Sequence, residues 1–510
     1  MPLNTESRTK SAGKNVSTAF LNKAVFLLLT FVRRRIFVEF IGVHYLGING
    51  LFANVLTLLS LADLGLGRAM NVSLYRPIAD NDTQHLSALL NYYKKLYHYI
   101  AAAVMGIGLA LMPVLRYIVN MDQDIPHLYL YYVLFVAKSA VSYLFSYKAS
   151  MIRADQKSYI INKLDIIVNL ARVLLQIVVM VIFKQYILYL LLEVGAVVTH
   201  NLIVSRVADK SYPFLKEKNQ LDDAEKRSVF SSMSSVFLYK LSWSMINGSD
   251  NILISMICGT VVVGLYSNYT TITSHLLEFV ALLFTSLTAS VGNLVATAAL
   301  SKRYKTFKSM QLVCFWVGAI VSVCLLYLTQ DFIRIWLGEK YVLDNLALIA
   351  VVQETFLTCI MRPVWTFREG TGMYQQIRYI MFIAALVNIG CSIVLGKLIG
   401  LSGILFATTI ARLTTYFWYE PWILFKRFFK IPAREFFVSN LKNILLMLIC
   451  VGLCYFPMTC IGWGTGILPW FGKAAICMAV INGVYFLRYR KSPEFRDIYD
   501  RGARLFKKAE

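Results

Sequence analysis

The sequence predicts an all-α membrane protein of about fourteen transmembrane helices, two six-helix lobes around a central cavity plus two C-terminal helices. Three observations carry that expectation. Of 510 residues, 58% are hydrophobic and only 15% charged, against roughly a quarter charged in ordinary soluble domains, and the mean hydropathy is +0.60. Apolar runs of about 20 residues, the helix length that crosses a hydrocarbon core about 30 Å thick, recur from Ala19 to Leu487. The basic residues fall in small groups between these runs. Backbone in lipid must satisfy its own N–H and C=O groups, so the runs are helices, and the alternating pattern of a membrane barrel is absent.

In chain order, a polar, basic tail (1–16) enters the first run without a small-residue cleavage site, which predicts an uncleaved first helix. The first six runs, 17–40, 48–69, 90–113, 127–148, 160–182 and 185–205, make an N-lobe over 17–205. A polar stretch at 206–228 follows, charged enough to read as a linker. Six further runs, 229–257, 262–292, 309–330, 343–366, 377–397 and 400–425, make a C-lobe over 229–425. The last two, 440–460 and 467–488, fall in a C-terminal region at 426–488, and a basic tail occupies 489–510. Two six-helix halves with a site between repeats is a known transporter arrangement.

Charge sets the orientation. With the N-terminus inside, alternate loops hold Lys148, Arg153 and Lys157, then Arg206 to Arg227, then Lys302 to Lys308, then Lys426 to Arg434. The opposite loops hold few basic residues, among them Arg116, Lys184 and Arg334. That bias predicts both termini in the cytoplasm. The net charge of +23 is topological, because it forms no single patch for nucleic acid.

Ionisable groups within the spans are the candidate functional residues, since each costs roughly 2.5–3.5 kcal/mol at a bilayer centre unless it faces protein or water. The fifth run carries Asn162, Asp165, Asn169, Arg172 and Gln176 at steps of three and four, which places them on one helical face. The seventh carries Lys240, Ser244, Asn247 and Asn251 with Asp250 beside them, and the eighth Asn268, Thr271, His275 and Glu278. Such stripes either bond helices together or line a hydrated cavity. Arg33, Arg34 and Arg35 point in three directions, so one or two enter the interior and the rest snorkel. With Lys138, Asn169, Arg172, Lys240 and Arg412 they are the candidate substrate-binding residues, the guanidinium fork being suited to phosphate.

Several signatures are missing. The sequence holds no glycine-rich nucleotide loop ending in Lys and Ser or Thr and no HExxH helix, so ATP hydrolysis and zinc chemistry have little support. The nine cysteines lie in or beside apolar runs and read as packing residues, so no metal site is expected. Asp122 and Asp124 form a DxD pair in a short loop, too small for a catalytic domain, and the chain is not expected to be an enzyme.

The order of several stretches resembles the bacterial polysaccharide flippases, exporters of O-antigen and capsule repeat units within the multidrug/oligosaccharidyl-lipid/polysaccharide superfamily. They are RRRIFVEFIGVHYLGINGLF near the N-terminus, LADLGLG (61–67), SLYRPIAD (73–80), SDNILIS (249–255), VGLYSNY (263–269), FIRIWLGEKYVL (332–343), FREGTGMYQQIRY (367–379) and GLSGILFAT (400–408). The resemblance implies a two-lobe bundle with a cationic central cavity in the bacterial cytoplasmic membrane. It would flip an undecaprenyl-pyrophosphate-linked glycan repeat unit from the inner to the outer leaflet by alternating access. Asp63 in LADLGLG and Asp250 in SDNILIS, with Asp165 and Glu278, are the ion-coupling or gating candidates. No cofactor is expected, and a proton gradient, a sodium gradient or the membrane potential would drive the cycle. The expected partners are the undecaprenyl-linked glycan and membrane lipid, with a polysaccharide polymerase and glycosyltransferases as possible protein partners. Two rivals remain at this stage: a multidrug or toxin exporter of the same fold, and a membrane polysaccharide polymerase or glycosyltransferase.

Overall fold

A computed structural model describes residues 8–59, 66–120, 125–464 and 466–507. Among them the regular structure is helical throughout, without strands, and the chain divides into two compact units, Met1–Gly264 and Leu265–Glu510. That boundary lies in the first turns of a helix, past the 206–228 stretch. The stretch itself is largely ordered as helix ends around a short connection.

The first unit contains α1 (Arg8–Phe40), α2 (Val43–Leu59), α3 (Leu66–Ala79), α4 (Thr83–Ala110), the single turn α5 (Leu115–Ile118), α6 (Leu128–Leu144), α7 (Ser146–Ala154), α8 (Ser158–Ile182), α9 (Tyr186–Ser211), α10 (Asp223–Gly248) and α11 (Asp250–Cys258). Helix α12 (Thr260–Thr297) begins in it. Two starts are legible as caps: Asp82 accepts the His85 N–H at 2.9 Å before α4, and Asp222 accepts the Glu225 N–H at 2.6 Å before α10. Helices α6 and α7 meet at a 44° bend. Ser142 and Ser146 there donate back to the Ser139 and Ser142 carbonyls, a habit that bends helices. Helix α1 lies along α8, α8 along α9, and α6 touches both α4 and α9. Small residues permit the closest approaches. A Cβ on Gly47 would lie 2.0 Å from the Thr260 carbonyl oxygen, so α2 can cross the start of α12 only with glycine there.

The second unit contains most of α12 with α13 (Leu300–Trp336), α14 (Asn345–Ile360), α15 (Arg362–Thr371), α16 (Tyr374–Thr414), α17 (Tyr416–Leu424), α18 (Arg434–Cys460), α19 (Ile467–Tyr489) and α20 (Pro493–Lys507). Pro363, which has no N–H to donate, sits at the 43° bend between α14 and α15. The runs expected at 377–397 and 400–425 join in one helical stretch broken at Ile399 and Gly400, whose φ of +62° suits glycine. Helices α18 and α19 pack on α13 through Cys450, Cys454, Cys477, Ile481 and Tyr485 against Phe315, Ala319 and Val323. The cysteines are free thiols, and Cys324, Cys450, Cys454 and Cys477 pack in this core. The basic tail at 489–510 contains helix α20, whose Phe495 stacks on Trp316.

Among the described residues, seven helices are long and apolar enough to cross a membrane, or nine if each bent pair is one span. Part of the shortfall against fourteen has visible causes among the described residues. The stretch Tyr374–Phe429 passes as one although it holds two expected runs; α1 carries Lys23 and three consecutive arginines; and α2 has 17 residues. Leucine, isoleucine and phenylalanine side chains along α8, α16, α18 and α19 are exposed, which suits surfaces solvated by lipid.

Candidate functional site

The site lies wholly in the first unit, where α1, α6, α8 and α9 meet. The sequence YILYLLLEVGAVV around Glu193 holds one charge in an otherwise apolar stretch of α9. In the structure that carboxylate is buried, 6% exposed, and its two oxygens are fully engaged. Arg33 of α1 donates to Oε1 at 3.0 Å, Arg172 of α8 to Oε1 at 2.5 Å, and Lys138 of α6 to Oε2 at 2.7 Å. Gln176, one turn past Arg172, donates to Glu193 Oε1 at 3.1 Å and to the Tyr189 carbonyl at 3.3 Å, and accepts from Arg33 at 3.3 Å.

Three basic groups therefore face one carboxylate, an excess of two positive charges. Positive charge in excess of its partner carboxylate at a partly buried site attracts a further anion. The Arg172 Nε–H has no acceptor among the described residues, which leaves a donor open. The Tyr186 hydroxyl is likewise buried without a partner among them. Toward the Tyr186 end of α9 the cluster is roofed by aromatic rings. Phe37, one turn after Arg33, lies edge-on to Tyr189 at 5.0 Å between centroids, and Tyr45 and Tyr131 each lie 4.8 Å from Tyr186.

The expected polar face of α8 is real, and it works at two levels. Arg172 and Gln176 meet Glu193, whereas Asp165, two turns earlier, pairs with His200 at 2.9 Å. Asp165 and Arg172 thus share a face without sharing a partner. Seven residues separate them by about 10 Å along the axis, and α9 supplies each with its own partner. Asn169 is half-buried between the two levels, and Asn162 donates to Thr18 of α1 at 3.2 Å.

The other candidates are placed as follows. Of the three consecutive arginines, Arg33 enters the cluster, Arg34 is half-buried, and Arg35 is exposed. Lys240 on α10 is half-buried and Asp250 in the first turn of α11 is buried; neither is a partner of Glu193. In the second unit, Glu278 is half-exposed with His275 at 3.9 Å. Arg412 there is buried, donating to Thr358 at 2.6 Å and Glu354 at 3.1 Å. Asp63, Asp122 and Asp124 lie outside the described residues. Glu193 was not singled out from the sequence, although a lone carboxylate within an apolar span is itself a signal of function. Glu354, Arg368 and Glu420 were likewise passed over. Among the described residues no group of three or more His, Cys, Asp or Glu side chains is placed to hold a metal ion.

Residues 12–290, more than half of the chain and the whole of the Glu193 cluster, match the family model described as polysaccharide biosynthesis protein. The chain belongs to that family. No curated protein matches it significantly by sequence. Solved structures with the same fold include the lipid II flippase MurJ in an inward closed conformation, with a TM-score of 0.64 and 15% identity over 93% of this chain and 98% of that one. A multidrug resistance MATE transporter of the MOP superfamily, facing inward, has a TM-score of 0.62 and 15% identity over 76% and 91%. A third is a MOP superfamily transporter from Pyrococcus furiosus with a binding pocket of reverse polarity, with a TM-score of 0.55 and 15% identity over 81% and 94%. At such identities the likeness carries the fold, so this polysaccharide biosynthesis protein has the MATE and MurJ architecture, that of membrane transporters and flippases.

Proposed function

We propose that this protein is a lipid-linked oligosaccharide flippase, moving an undecaprenyl-pyrophosphate-linked glycan repeat unit from the inner to the outer leaflet of a bacterial cytoplasmic membrane by alternating access. The observation that carries this reading is the excess of two positive charges around Glu193 inside the first unit. Arg33 and Arg172 offer planar donors suited to phosphoryl oxygens, and Lys138 adds a point charge. Family membership supports a substrate drawn from polysaccharide assembly. The prenyl chain stays in lipid, because each methylene moved into water costs about 0.8 kcal/mol. Polysaccharide polymerase and glycosyltransferases are the protein partners of this reading, and Lys240 and Asn169 are further contacts for the glycan or its phosphates. A proton or sodium gradient, or the membrane potential, resets the empty carrier, with Asp63, Asp165, Asp250 and Glu278 as the coupling candidates.

A multidrug exporter shares the fold, but a site with excess positive charge repels organic cations. The deciding experiment is transport by purified protein in vesicles, reading the leaflet of a fluorescent undecaprenyl-diphosphate glycan. Leaflet exchange above that of empty vesicles supports the proposal, and export of a cationic dye without glycan exchange overturns it. Orientation is tested separately, with single cysteines replacing Ser211 or Asp122 in a cysteine-free background. An impermeant reagent on intact spheroplasts should label only the Asp122 position, and labelling at Ser211 would reverse the topology.

A further inference from the structure

In the second unit, the start of α16 and the end of α17 come together and carry cations of a different kind from the deep ion pairs. Arg378 of α16 lies over the Tyr379 ring at 4.6 Å and donates to the Tyr379 hydroxyl at 2.9 Å. Trp418 and Trp422, one turn apart on α17, are exposed, and Lys426 in the turn after α17 lies over the Trp422 ring at 4.9 Å. Arg427 follows, and it donates to the Gln376 side chain at 3.3 Å in the amide orientation that satisfies both atoms of that group. The Tyr419 hydroxyl donates to the Gln376 carbonyl at 3.4 Å and so ties the two ends together.

The acidic residues of these segments do not neutralise the three cations. Glu420 is held by Arg368, and Glu435 by Lys308 and the Tyr304 hydroxyl. Glu369, half-buried on α15, makes no ion pair among the described residues, and none of Arg378, Lys426 and Arg427 has a carboxylate partner among them. Below Arg378, the side chains of Tyr379, Ile383, Leu386 and Val394 are exposed at helical spacing, an apolar stripe along α16. The combination has a level in a bilayer. Apolar stripes meet acyl chains, Tyr and Trp rings sit at the headgroup boundary, and basic side chains there meet phosphate.

We propose that Arg378, Lys426 and Arg427, with the Tyr379, Trp418 and Trp422 rings, form a binding site for an anionic phospholipid. Its phosphate meets the cations and its acyl chains lie along the Ile383, Leu386 and Val394 stripe. The rings hold two of the cations in place through their π faces, which makes the site more than a diffuse positive surface. A zwitterionic phospholipid brings its own cation to the same place and is disfavoured. The site is separate from the Glu193 cluster and does not depend on what the protein transports.

The test is native mass spectrometry of the delipidated full chain in a neutral maltoside detergent, titrated with phosphatidylglycerol or phosphatidylcholine. The first phosphatidylglycerol should bind about tenfold or more tightly than phosphatidylcholine, the scale of two or three basic contacts. The triple variant Arg378→Gln, Lys426→Gln, Arg427→Gln should remove that preference and leave phosphatidylcholine binding within about twofold. Arg206→Gln, Lys210→Gln, Lys218→Gln removes the same charge from exposed positions of the first unit and should keep the preference. Equal losses in the two triple variants would mean that net charge alone attracts the lipid, and would overturn the site. Should the first triple variant not fold, Arg378→Gln and Lys426→Gln are measured singly, each expected to weaken phosphatidylglycerol binding by about threefold to fivefold. Unchanged binding in whichever of these folds would overturn the site as well. Millimolar inorganic phosphate should not displace the lipid, because it lacks acyl chains for the stripe; displacement would assign the cations to a soluble anion instead.

Discussion

The Glu193 cluster of the first unit and the deepest ion pairs of the second bury charge in different ways. In the second unit the deep ion pairs among the described residues are matched one to one: Arg368 donates to both oxygens of Glu420 at 3.0 and 3.1 Å, and Arg412 pairs with Glu354 at 3.1 Å. In the first, three cations converge on Glu193 alone. A matched pair is electrically finished and serves to join helices, α15 to α17 and α14 to α16. An unmatched cluster keeps charge that a group from outside the chain can meet. The contrast teaches that charge inside a membrane is not in itself a mark of function, whereas imbalance is.

The largest effect is therefore expected in the second unit, on stability. Glu420→Gln leaves the Arg368 guanidinium buried with its charge uncompensated, and breaking a buried pair in this way costs about 3–5 kcal/mol. Thermal unfolding in detergent should show a much lower midpoint, partly restored when Arg368→Gln is added. If the single variant is as stable as the parent chain, the pair is not structural and the comparison between the units fails.

Next is the first unit's own cation. Arg172→Gln removes a donor to Glu193 and one of the two charges available to a ligand, so transport per folded molecule should fall by about tenfold to a hundredfold, as for loss of a charge-assisted bond. Arg172→Lys keeps the charge without the fork and should retain part of the transport. The amount of folded protein should change less than for Glu420→Gln, because Arg33 and Lys138 still neutralise Glu193. Unchanged transport per folded molecule would remove Arg172 from the substrate path.

Much of this was legible in the sequence, and the part that was not has a physical reason. The fifth run's steps of three and four put Arg172 and Gln176 on one face, and the structure brings both to one atom, Glu193 Oε1. Consecutive Arg33, Arg34 and Arg35 had to diverge, and they do. Periodicity within a helix says which residues share a face, but not what that face meets. Arg33 and Glu193 are 160 residues apart, and only the packing of α1, α8 and α9 joins them. The same limit applies to Asp165 and Arg172, which share a face while α9 gives each a different partner. The break in the long helical stretch at Ile399 and Gly400 falls between the runs expected at 377–397 and 400–425, and it is local, a glycine at positive φ.

A smaller effect is expected at the other level of the α8 and α9 interface. Asp165 and His200 form a pair that is partly exposed, with side chains 32% and 22% accessible, so its contribution to stability is modest. Asp165→Asn should leave protein amount within about twofold, on the scale of a weak pair, while altering the pH or ion dependence of transport if the pair takes part in coupling. An unchanged dependence in the same vesicles would strike Asp165 from the coupling candidates.

The smallest effect is expected two residues from the site, in the same helix. Arg35 is exposed where Arg33 is engaged, because two residues turn an α-helix through about 200°, and the side chain is long enough to carry its charge toward headgroups. Arg35→Gln should change stability by no more than about 0.5 kcal/mol, the range for surface substitutions, and should leave anion binding unaltered within error. Arg33→Gln should weaken it on the same scale as Arg172→Gln. The comparison holds sequence neighbourhood, residue type and helix constant and varies direction alone. Equal losses at Arg33 and Arg35 would mean that net charge near the end of α1 matters more than contact with the cluster, and the case for a defined site around Glu193 would fall.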